Sequence, residues 1–414
     1  MKPEGSDQGQ NLNPRLKVRV RPAAERSIRK GHPWVYADSI RETNRHGETG
    51  DLAVVYDRNN RFLAIGHFDP ESPIRIRILH HGKPIQLDEV WWRQRLSDTI
   101  AKRRPILSGK TNGCRLIHGE NDGWPGLVLD QYAGVQVLKL YTLSWIPILD
   151  EIRHWILDEC PPDSIVLRMS RNIQEAASKR FGRKDGQLLY GPVPTGPVPF
   201  VENGVWFEAD VLKGQKTGFF LDQRDNRLRI SSLALGKQVL NAFSFSGGFS
   251  LLAAAGGASS VTDLDISRHA LESAQRNWLL NKGNMRISQC RHKTVQADVF
   301  KWFKGDPDQT FDVVIVDPPS LAKKERERQG ALQAYHQLAL GAIQRVSRGG
   351  ILLACSCSAH VGADEFFEVV RSAARESGRS WRELETSGHP EDHPQLDCFP
   401  EAAYLKGIYL SFED

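Results

Sequence analysis

Two apolar segments in the last third of the chain each end on a group that can do chemistry. The segment Phe311–Asp317 ends on a carboxylate and continues into the sequence Pro-Pro-Ser. The segment Gly350–Cys357 carries two cysteines, one residue apart, near its end. Short β-branched or leucine-rich runs are typical of strands buried on both faces, and open α/β sheets gather their ligands at the carboxyl ends of the strands. The sequence therefore predicts an acid and a thiol at one rim of a sheet.

A glycine-containing turn, Asn241–Ser250, follows another predicted strand and opens a helix. Asp265 ends the next strand, where a carboxylate can accept hydrogen bonds from both hydroxyls of a ribose. Asp298 ends a third strand and is suited to accept from an adenine amino group. The turn lacks the G-x-G-x-x-G spacing that holds a pyrophosphate at a helix N-terminus. A simple tight turn is the alternative for this segment alone, but the set predicts an adenosine ligand without phosphates, with S-adenosylmethionine as the leading candidate.

Strands and helices that alternate from about residue 204 onward must position these groups. Such alternation predicts a parallel, doubly wound sheet, which makes residues 201–414 an α/β domain with a Rossmann-like fold. The predicted strands are Gln238–Ala242, Ser260–Asp265, His292–Ala297, Phe311–Asp317 and Gly350–Cys357, and the predicted helices are Ser267–Asn281, Gln329–Val346 and Gly362–Ser377. A last strand, Ala403–Phe412, has no helix before it and is therefore expected to run antiparallel.

Two smaller domains are expected before the α/β domain. Residues 14–88 read as a small β-barrel, with strands at Leu16–Val20, Leu52–Tyr56, Phe62–Phe68 and Ile74–Leu79. Residues 89–200 read as a central α+β domain with helices at Trp91–Lys102 and Ile148–Glu159 and strands at Leu127–Asp130, Gln136–Tyr141 and Ser164–Met169. The Gly/Pro-rich stretch Gly191–Pro199 is expected to be a stiff linker or covering loop, because proline fits neither a helix interior nor a central strand.

Composition limits the class of protein. A length of 414 residues suggests two or three domains, and 40% hydrophobic with 25% charged residues is typical of a soluble globular protein. Residues 1–13 are polar and read as a disordered leader without a secretory signal, and nothing is long and apolar enough to span a membrane. Six irregularly spaced cysteines indicate neither a disulfide framework nor a metal site, so a cytoplasmic protein without a metal is expected.

A basic segment near the amino terminus is a candidate for binding nucleic acid. Residues 14–32 carry seven basic side chains, among them Arg29 and Lys30, against a single Glu25, and the aromatic residues Trp34 and Tyr36 follow. Such a run is more often a solvated face. Cations interleaved with aromatics are, however, what stacking on single-stranded RNA requires.

Several motifs in one order resemble the ribosomal RNA large subunit methyltransferase I family. They are Lys216–Arg227, the Phe-Ser-Phe-Ser-Gly-Gly-Phe turn at 243–249, Asp317-Pro-Pro-Ser, Ser356-Cys357-Ser358 and Tyr404-Leu-Lys-Gly. More weakly, Lys30–Tyr36 looks like the start of that family's RNA-binding PUA domain, and His118–Leu127 resembles its central domain. The resemblance implies an S-adenosylmethionine-dependent methyltransferase that forms 5-methylcytidine in ribosomal RNA, and loosely a homodimer.

The resemblance also assigns roles to residues. Cys357 is implied as the nucleophile and Asp317 as the group at cytosine N3, whereas Cys355 is implied to be structural. The implied cofactor-binding residues are Phe220, Gln223, Arg224, Asn241, Phe243, Ser244, Gly247, Asp265, Asp298 and Asp317, and the implied RNA contacts are Arg29, Lys30, Trp34, Pro318 and Tyr335. A thiolate is required because C5 of cytosine becomes nucleophilic only after addition at C6.

Two other functions stay open from the sequence. One is methylation of a guanine nitrogen with the cysteine structural, although methylases of amino nitrogens usually carry an aromatic residue where this chain has Ser320. The other is an inert RNA-binding or assembly protein, which the intact acids Asp265, Asp298 and Asp317 argue against. Tyr335 could line the pocket, but an aromatic residue on a helix usually belongs to the core. His360 could relay a proton or help form the thiolate, but such a histidine is more often an ordinary loop residue.

Overall fold

The computed structural model describes residues 15–107, 109–305 and 309–413. The expected leader at 1–13 lies outside these residues. No helix in the described ranges has the length and hydropathy needed to cross a membrane.

The first part of the chain forms a mixed sheet around its own core. Its elements are β1 (Leu16–Val20), α1 (Pro22–Arg29), β2 (Trp34–Tyr36), β3 (Ile40–Thr43), β4 (Leu52–Tyr56), β5 (Phe62–Phe68) and β6 (Ile74–His81). The strand order is β2-β6-β5-β4-β1-β3, with β1 and β4 parallel. Alternation along β1 buries Leu16, Val18 and Val20 and exposes Lys17 and Arg19. Helix α1 was not predicted; it begins at Pro22, a residue that fits the first turn of a helix because its missing N–H is not needed there.

The central part packs helices on a second sheet. It comprises α2 (Glu89–Ala101), α3 (Arg104–Leu107), β7 (Gly113–His118), β8 (Leu127–Tyr132), β9 (Val135–Leu140), α4 (Leu149–Glu159), β10 (Ser164–Met169), α5 (Arg171–Phe181) and β11 (Leu188–Tyr190). The strand order is β11-β10-β9-β8-β7. Trp92, Trp124, Trp145 and Trp155 are buried together between α2, α4 and this sheet.

The last part contains the predicted α/β sheet. A hairpin of β12 (Val198–Glu202) and β13 (Val205–Ala209) precedes α6 (Arg224–Leu233). The elements that follow are β14 (Gln238–Ala242), α7 (Gly248–Ala255), β15 (Ser260–Asp265), α8 (Arg268–Leu280), α9 (Met285–Gln289), β16 (Arg291–Gln296), α10 (Val299–Phe303), β17 (Phe311–Val316), α11 (Arg328–Ile343), β18 (Val346–Ser356), α12 (Ala363–Glu376), β19 (Trp381–Ser387) and β20 (Lys406–Phe412). The strand order is β16-β15-β14-β17-β18-β20-β19.

Strand register places the functional groups at one rim. Strands β14, β17 and β18 are parallel, and Ala242, Val316 and Ala354 lie level with one another. The turn after β14, Asp317 after β17 and Cys357 after β18 therefore open on the same edge. The final strand β20 pairs antiparallel to β18, as expected, and sets Lys406 opposite Ser356.

Some boundaries differ from the sequence predictions. The helix predicted over Gln329–Val346 ends at Ile343, and Val346 instead begins β18. Strand β12 begins at Val198, inside the stretch predicted to be a linker. Pro199 is tolerated there because both strands of a two-stranded hairpin are edge strands. On an edge strand, a residue without an N–H can be accommodated. Strand β19 was not predicted; its charged sequence suits the edge of the sheet that it occupies.

Candidate active site

The thiol of Cys357 faces the loop that follows Asp317. Its Sγ lies 3.7 Å from the carbonyl oxygen of Pro318, and the side chain is partly exposed. Cys355, two residues earlier, lies inside β18 and is 1% exposed, packed in the core with residues such as Tyr409. The two cysteines predicted at the strand end thus occupy different environments, and Cys357 is the one that is partly accessible at the rim of the sheet.

The serines on either side of Cys357 bind the two strand ends to each other. The Ser358 hydroxyl accepts from the backbone N–H of Leu321 at 3.0 Å and of Ala322 at 3.3 Å. It also lies 2.8 Å from the hydroxyl of Tyr335, to which the Ser356 hydroxyl donates at 2.9 Å. This network holds the loop after β17 against the turn after β18.

Tyr335 therefore has a different position from the one implied by its RNA-contact role. The side chain is 3% exposed and packs against Phe366 at a ring separation of 5.1 Å. Its hydroxyl is engaged by the two serines, so Tyr335 supports the turn from behind. Pro318 is buried with its carbonyl oxygen toward the thiol, while Pro319 is exposed.

Asp317 lies in an electrostatic setting that favours its protonated form. Burial and the neighbouring carboxylate of Asp222 raise the pKa of Asp317 to about 7, while a hydrogen bond from the Gln223 side chain acts in the opposite direction. Asp222 itself stays ionised. Burial works against its charge, but the ammonium of Lys216 at 2.6 Å and the hydroxyl of Tyr404 at 2.8 Å outweigh burial and hold the pKa of Asp222 well below its usual range.

The Cys357 thiol is protonated in this setting. Burial and the carboxylate of Asp317 raise its pKa to about 11, while the ammonium groups of Lys216 and Lys406 act in the opposite direction. The rim of the sheet thus combines an acid that can donate a proton near neutral pH with a thiol that must be helped to ionise.

The turn after β14 has the backbone of a ligand-binding loop. Phe243, Phe245 and Gly247 all have positive φ angles, of 60°, 47° and 74°. Non-glycine residues rarely adopt this conformation, and it persists where surrounding structure enforces it. The ring of Phe220 packs edge-on against Phe245 at 5.0 Å, which brings the segment before α6 onto the turn.

Two buried polar atoms in this turn have no hydrogen-bond partner among the described residues, Asn241 Oδ1 and Ser244 Oγ. The Asn241 amide nitrogen donates to Ser250 Oγ at 3.0 Å and to Asp263 Oδ1 at 3.1 Å, so its oxygen must point away from them. Asp263 is fixed in turn by His292 at 2.7 Å. Buried polar atoms normally have partners, and these two are suited to meet a polar ligand that lies on the turn.

The two acids expected to bind ribose and adenine lie at the same rim. Asp265 accepts from the backbone N–H groups of Phe245 at 2.9 Å and Ser267 at 2.8 Å, and remains partly exposed. Asp298 caps α10 by accepting from the N–H of Lys301 at 3.0 Å and is also partly exposed. Each carboxylate keeps acceptor capacity beyond these bonds. With the two unpartnered atoms above, the donor and acceptor set fits an adenosine-type cofactor.

Arg224 and His360 lie elsewhere than at the reacting groups. The buried Arg224 guanidinium donates to Asp392 at 2.8 Å and joins the segment after β19 to the start of α6, so it supports the cofactor segment structurally. His360 is exposed, with Nδ1 3.5 Å from Glu325.

The residues near the amino terminus that are implied to contact RNA differ in how exposed their side chains are. Lys30 is exposed, and Arg29 is half exposed while pairing with Asp57 at 2.7 Å. Trp34 is only partly exposed: its indole N–H donates to Glu120 at 2.8 Å and its ring contacts Phe399 at 4.6 Å. Trp34 therefore joins three parts of the chain instead of presenting a free stacking surface.

Four residues of the site were not singled out from the sequence: Lys216, Asp222, Asp263 and Lys406. The motifs quoted above include three of them, Lys216, Asp222 and Lys406, and that membership is the only sequence signal that could have identified these three. Asp263 lies two residues before Asp265 on β15, the spacing that puts both side chains on the same side of a strand, but a buried acid in mid-strand gives no pattern by itself.

Comparisons with known proteins show which family this chain resembles. A family described as S-adenosylmethionine-dependent methyltransferase matches residues 114–410, and a PUA-like domain matches residues 18–81. A "Ribosomal RNA large subunit methyltransferase" of Deinococcus radiodurans is 54% identical over 97% of this chain and 98% of the relative. A "Ribosomal RNA large subunit methyltransferase I" of Shewanella frigidimarina is 34% identical over 95% and 98%, respectively.

The chain belongs to the ribosomal RNA large subunit methyltransferase family. The predicted S-adenosylmethionine dependence and the predicted fold class, a PUA-like domain followed by an α/β methyltransferase, are confirmed. A crystal structure of SMU.776 complexed with SAH shares the fold, with a TM-score of 0.80, 23% identity and coverage of 95% of this chain and 99% of that one. When bound, S-adenosylmethionine supplies a methyl group on a sulfonium. The turn 241–250 and the rim acids would hold this cofactor beside Cys357 and Asp317.

Proposed function

We propose that this methyltransferase forms 5-methylcytidine in large-subunit ribosomal RNA through a covalent bond between Cys357 and C6 of the target cytosine. The observation that carries the proposal is the position of Cys357: its sulfur faces Pro318 O at 3.7 Å, at the rim of the sheet where Asp317 and the turn after β14 also lie. Ribosomal RNA is the substrate named for relatives that match almost the whole chain.

The proposed chemistry uses the two groups in complementary states. The Cys357 thiolate adds to C6 of cytosine while N3 of the ring gains a hydrogen bond or proton. C5 then attacks the cofactor's methyl group, a base removes the proton from C5, and the thiolate leaves C6 with restoration of the ring. One difficult step is thereby divided into easier ones.

Asp317 is suited to the N3 end of this reaction. In cytosine, N3 is a hydrogen-bond acceptor, so the partner must donate. A carboxyl group whose pKa is raised to about 7 is protonated in a large fraction of molecules near neutral pH and can donate. An ionised carboxylate would instead prefer a ring nitrogen that carries a proton.

A basic surface on the PUA-like domain is the proposed contact for the RNA backbone. We define it as α1 with the adjoining Lys30, and the turn 57–61; its exposed basic side chains are Arg26, Arg29, Lys30, Arg58 and Arg61. The two segments are joined by the N–H of Arg58, which donates to Glu25 at 2.7 Å. Lysine and arginine side chains on one surface neutralise phosphates and release counterions.

A second candidate is methylation of a guanine nitrogen, with Cys357 structural. The observation that favours it is the raised pKa of the Cys357 thiol, about 11, which leaves little thiolate at neutral pH before substrate binds.

The test compares Cys357→Ser with Cys355→Ser as its matched control. Each variant is assayed for transfer of tritium from labelled S-adenosylmethionine to ribosomal RNA that lacks the modification, followed by nucleoside analysis of the product. We expect Cys357→Ser to lose activity by about a thousandfold or more, while Cys355→Ser retains most of it. Full activity in Cys357→Ser would rule out the covalent mechanism, and a methylated guanosine product would establish the second candidate.

A further inference from the structure

Lys406 is a buried cation beside the proposed nucleophile. It lies at the start of β20, opposite Ser356, and is 2% exposed. Its Nζ donates to the carbonyl oxygens of Ser358 and Val361, each at 2.6 Å. These two carbonyls begin and end the turn that directly follows Cys357.

Among the residues that the structure describes, no anion is in direct contact with the Lys406 ammonium. Glu365 on α12, an acid that acts on Lys406 electrostatically, is held by the guanidinium of Arg328 at 3.2 Å. Burying an ammonium whose partners are neutral carbonyls costs free energy, and burial accordingly lowers the pKa of Lys406 to about 8. A neutral donor could hold the turn at a lower cost. We therefore infer that the charge of Lys406 serves to stabilise an anion that forms during the reaction.

We propose that Lys406 is a positioning residue that holds the turn after Cys357 and stabilises the Cys357 thiolate. An ammonium group has three N–H donors, and two are used by the turn. Within the part of the chain that the structure describes, no protein acceptor takes the third. The inference rests on the proposed role of Cys357, but its readout, the ionisation of that thiol, requires neither RNA nor methyl transfer.

Other charges reach the same thiol and must be separated from Lys406. Asp317 and Asp222 act against the thiolate, whereas Lys216 acts for it, more strongly than Lys406 does, from the segment before α6. Lys216 is already paired with Asp222 at 2.6 Å, so its charge is largely offset there.

Neutral and weakly ionising groups also face the pair. Tyr335 on α11 and Cys355 on β18 interact electrostatically with the Cys357 thiol. His389, in the segment after β19, faces Lys406, and burial lowers the pKa of this histidine to about 4, so it is neutral at the pH of the assay. None of these groups supplies a positive charge to the thiol at neutral pH.

The experiment measures the rate at which iodoacetamide alkylates Cys357 in the full-length protein at pH 7, where Lys406, with a pKa of about 8, carries its charge. Modification at Cys357 is followed by peptide mass spectrometry, with Cys357→Ser as the blank. For Lys406→Gln we expect the alkylation rate at pH 7 to fall about tenfold, the effect of a rise of about one pH unit in the pKa of the thiol. Lys406→Arg keeps a positive charge and is expected to keep the rate within about threefold of the wild type.

Folding is checked by the binding of S-adenosylhomocysteine to each variant. An unchanged alkylation rate at pH 7 in a Lys406→Gln variant that still binds this ligand would overturn the proposal and leave Lys406 a purely structural group. If Lys406→Gln does not fold, Lys406→Arg decides: a rate that falls tenfold or more with the charge retained contradicts the proposal. Loss of the covalent mechanism itself would show separately, as full methyl transfer by Cys357→Ser.

Discussion

Replacement of Asp222 by Asn tests whether a like charge keeps Asp317 protonated. The amide has the same shape and can still accept hydrogen bonds from Lys216 and Tyr404, so the change removes charge with little loss of packing. Burial and Asp222, in that order, raise the pKa of Asp317 from 3.8 to about 7. At about 1.36 kcal/mol for each pH unit, this rise corresponds to a free energy of roughly 4 kcal/mol in favour of the protonated form of Asp317. Burial makes the largest contribution to it, and the charge of Asp222 makes the second largest. We assign about one pH unit to it.

The direction in which the rate changes with pH follows from the protonation states that the reaction needs. The productive enzyme has lost the proton of Cys357 and kept the proton of Asp317. Because the thiol has the higher pKa, about 11, the productive fraction rises with pH up to the pKa of Asp317 and then stays level. The acid limb of kcat/KM should therefore have a midpoint near pH 7 in the wild type and near pH 6 in Asp222→Asn.

The assay is methyl transfer under single-turnover conditions from pH 5.5 to 9. For a midpoint that moves by one pH unit, the rate at pH 6 relative to pH 8 rises from about one-tenth in the wild type to about one-half in the variant. Asp225→Asn is the matched control, because Asp225 is exposed on the same segment and pairs with Arg224 at 3.3 Å. An acid limb that stays at the same pH in Asp222→Asn would refute the reasoning, as would an equal shift in Asp225→Asn.

Three further predictions follow from single contacts. Ser358→Ala removes the acceptor for the N–H of Leu321 and should lower the stability by about 1–3 kcal/mol, measured by urea unfolding of the full chain, and reduce kcat more than it changes KM; unchanged kcat would contradict the role of this link. Asp263→Ala should weaken S-adenosylhomocysteine binding about tenfold in calorimetry, because the Asn241 amide loses the acceptor that orients it; equal affinity would show that the orientation of Asn241 is irrelevant. Arg58→Ala should reduce the slope of log K against log salt for ribosomal RNA fragments by about 1, whereas an unchanged slope would remove Arg58 from the interface.

Much of the fold could be predicted from local pattern. The alternation of strands and helices after residue 204 indicated the parallel sheet, and the antiparallel last strand followed from the missing helix before it. The errors occurred where local pattern is ambiguous. The helix α11 runs into β18 with only Gln344 and Arg345 between them, so no turn residue marks its end. Strand β19 is charged enough to read as a loop because it lies at an edge.

Side chains judged by type alone were the least predictable part of the site. Trp34 and Tyr335 are aromatic residues suited to stacking on bases, yet one is held by Glu120 and Phe399 and the other by Ser356 and Ser358. Trp34 and Glu120 are 86 residues apart in the sequence. Periodicity in the sequence carries no information about contacts at such a separation.

The sequence by itself determined which chemical groups lie at the rim, because an acid or a thiol at the end of a buried strand is a local feature of the chain. Only the tertiary structure decided the protonation states of those groups. Asp317 owes its raised pKa to burial and to Asp222, and Cys357 lies near Lys406 because β20 pairs with β18. Electrostatic interactions depend on distance through space and on exclusion of water, and neither is set by the order of residues along the chain.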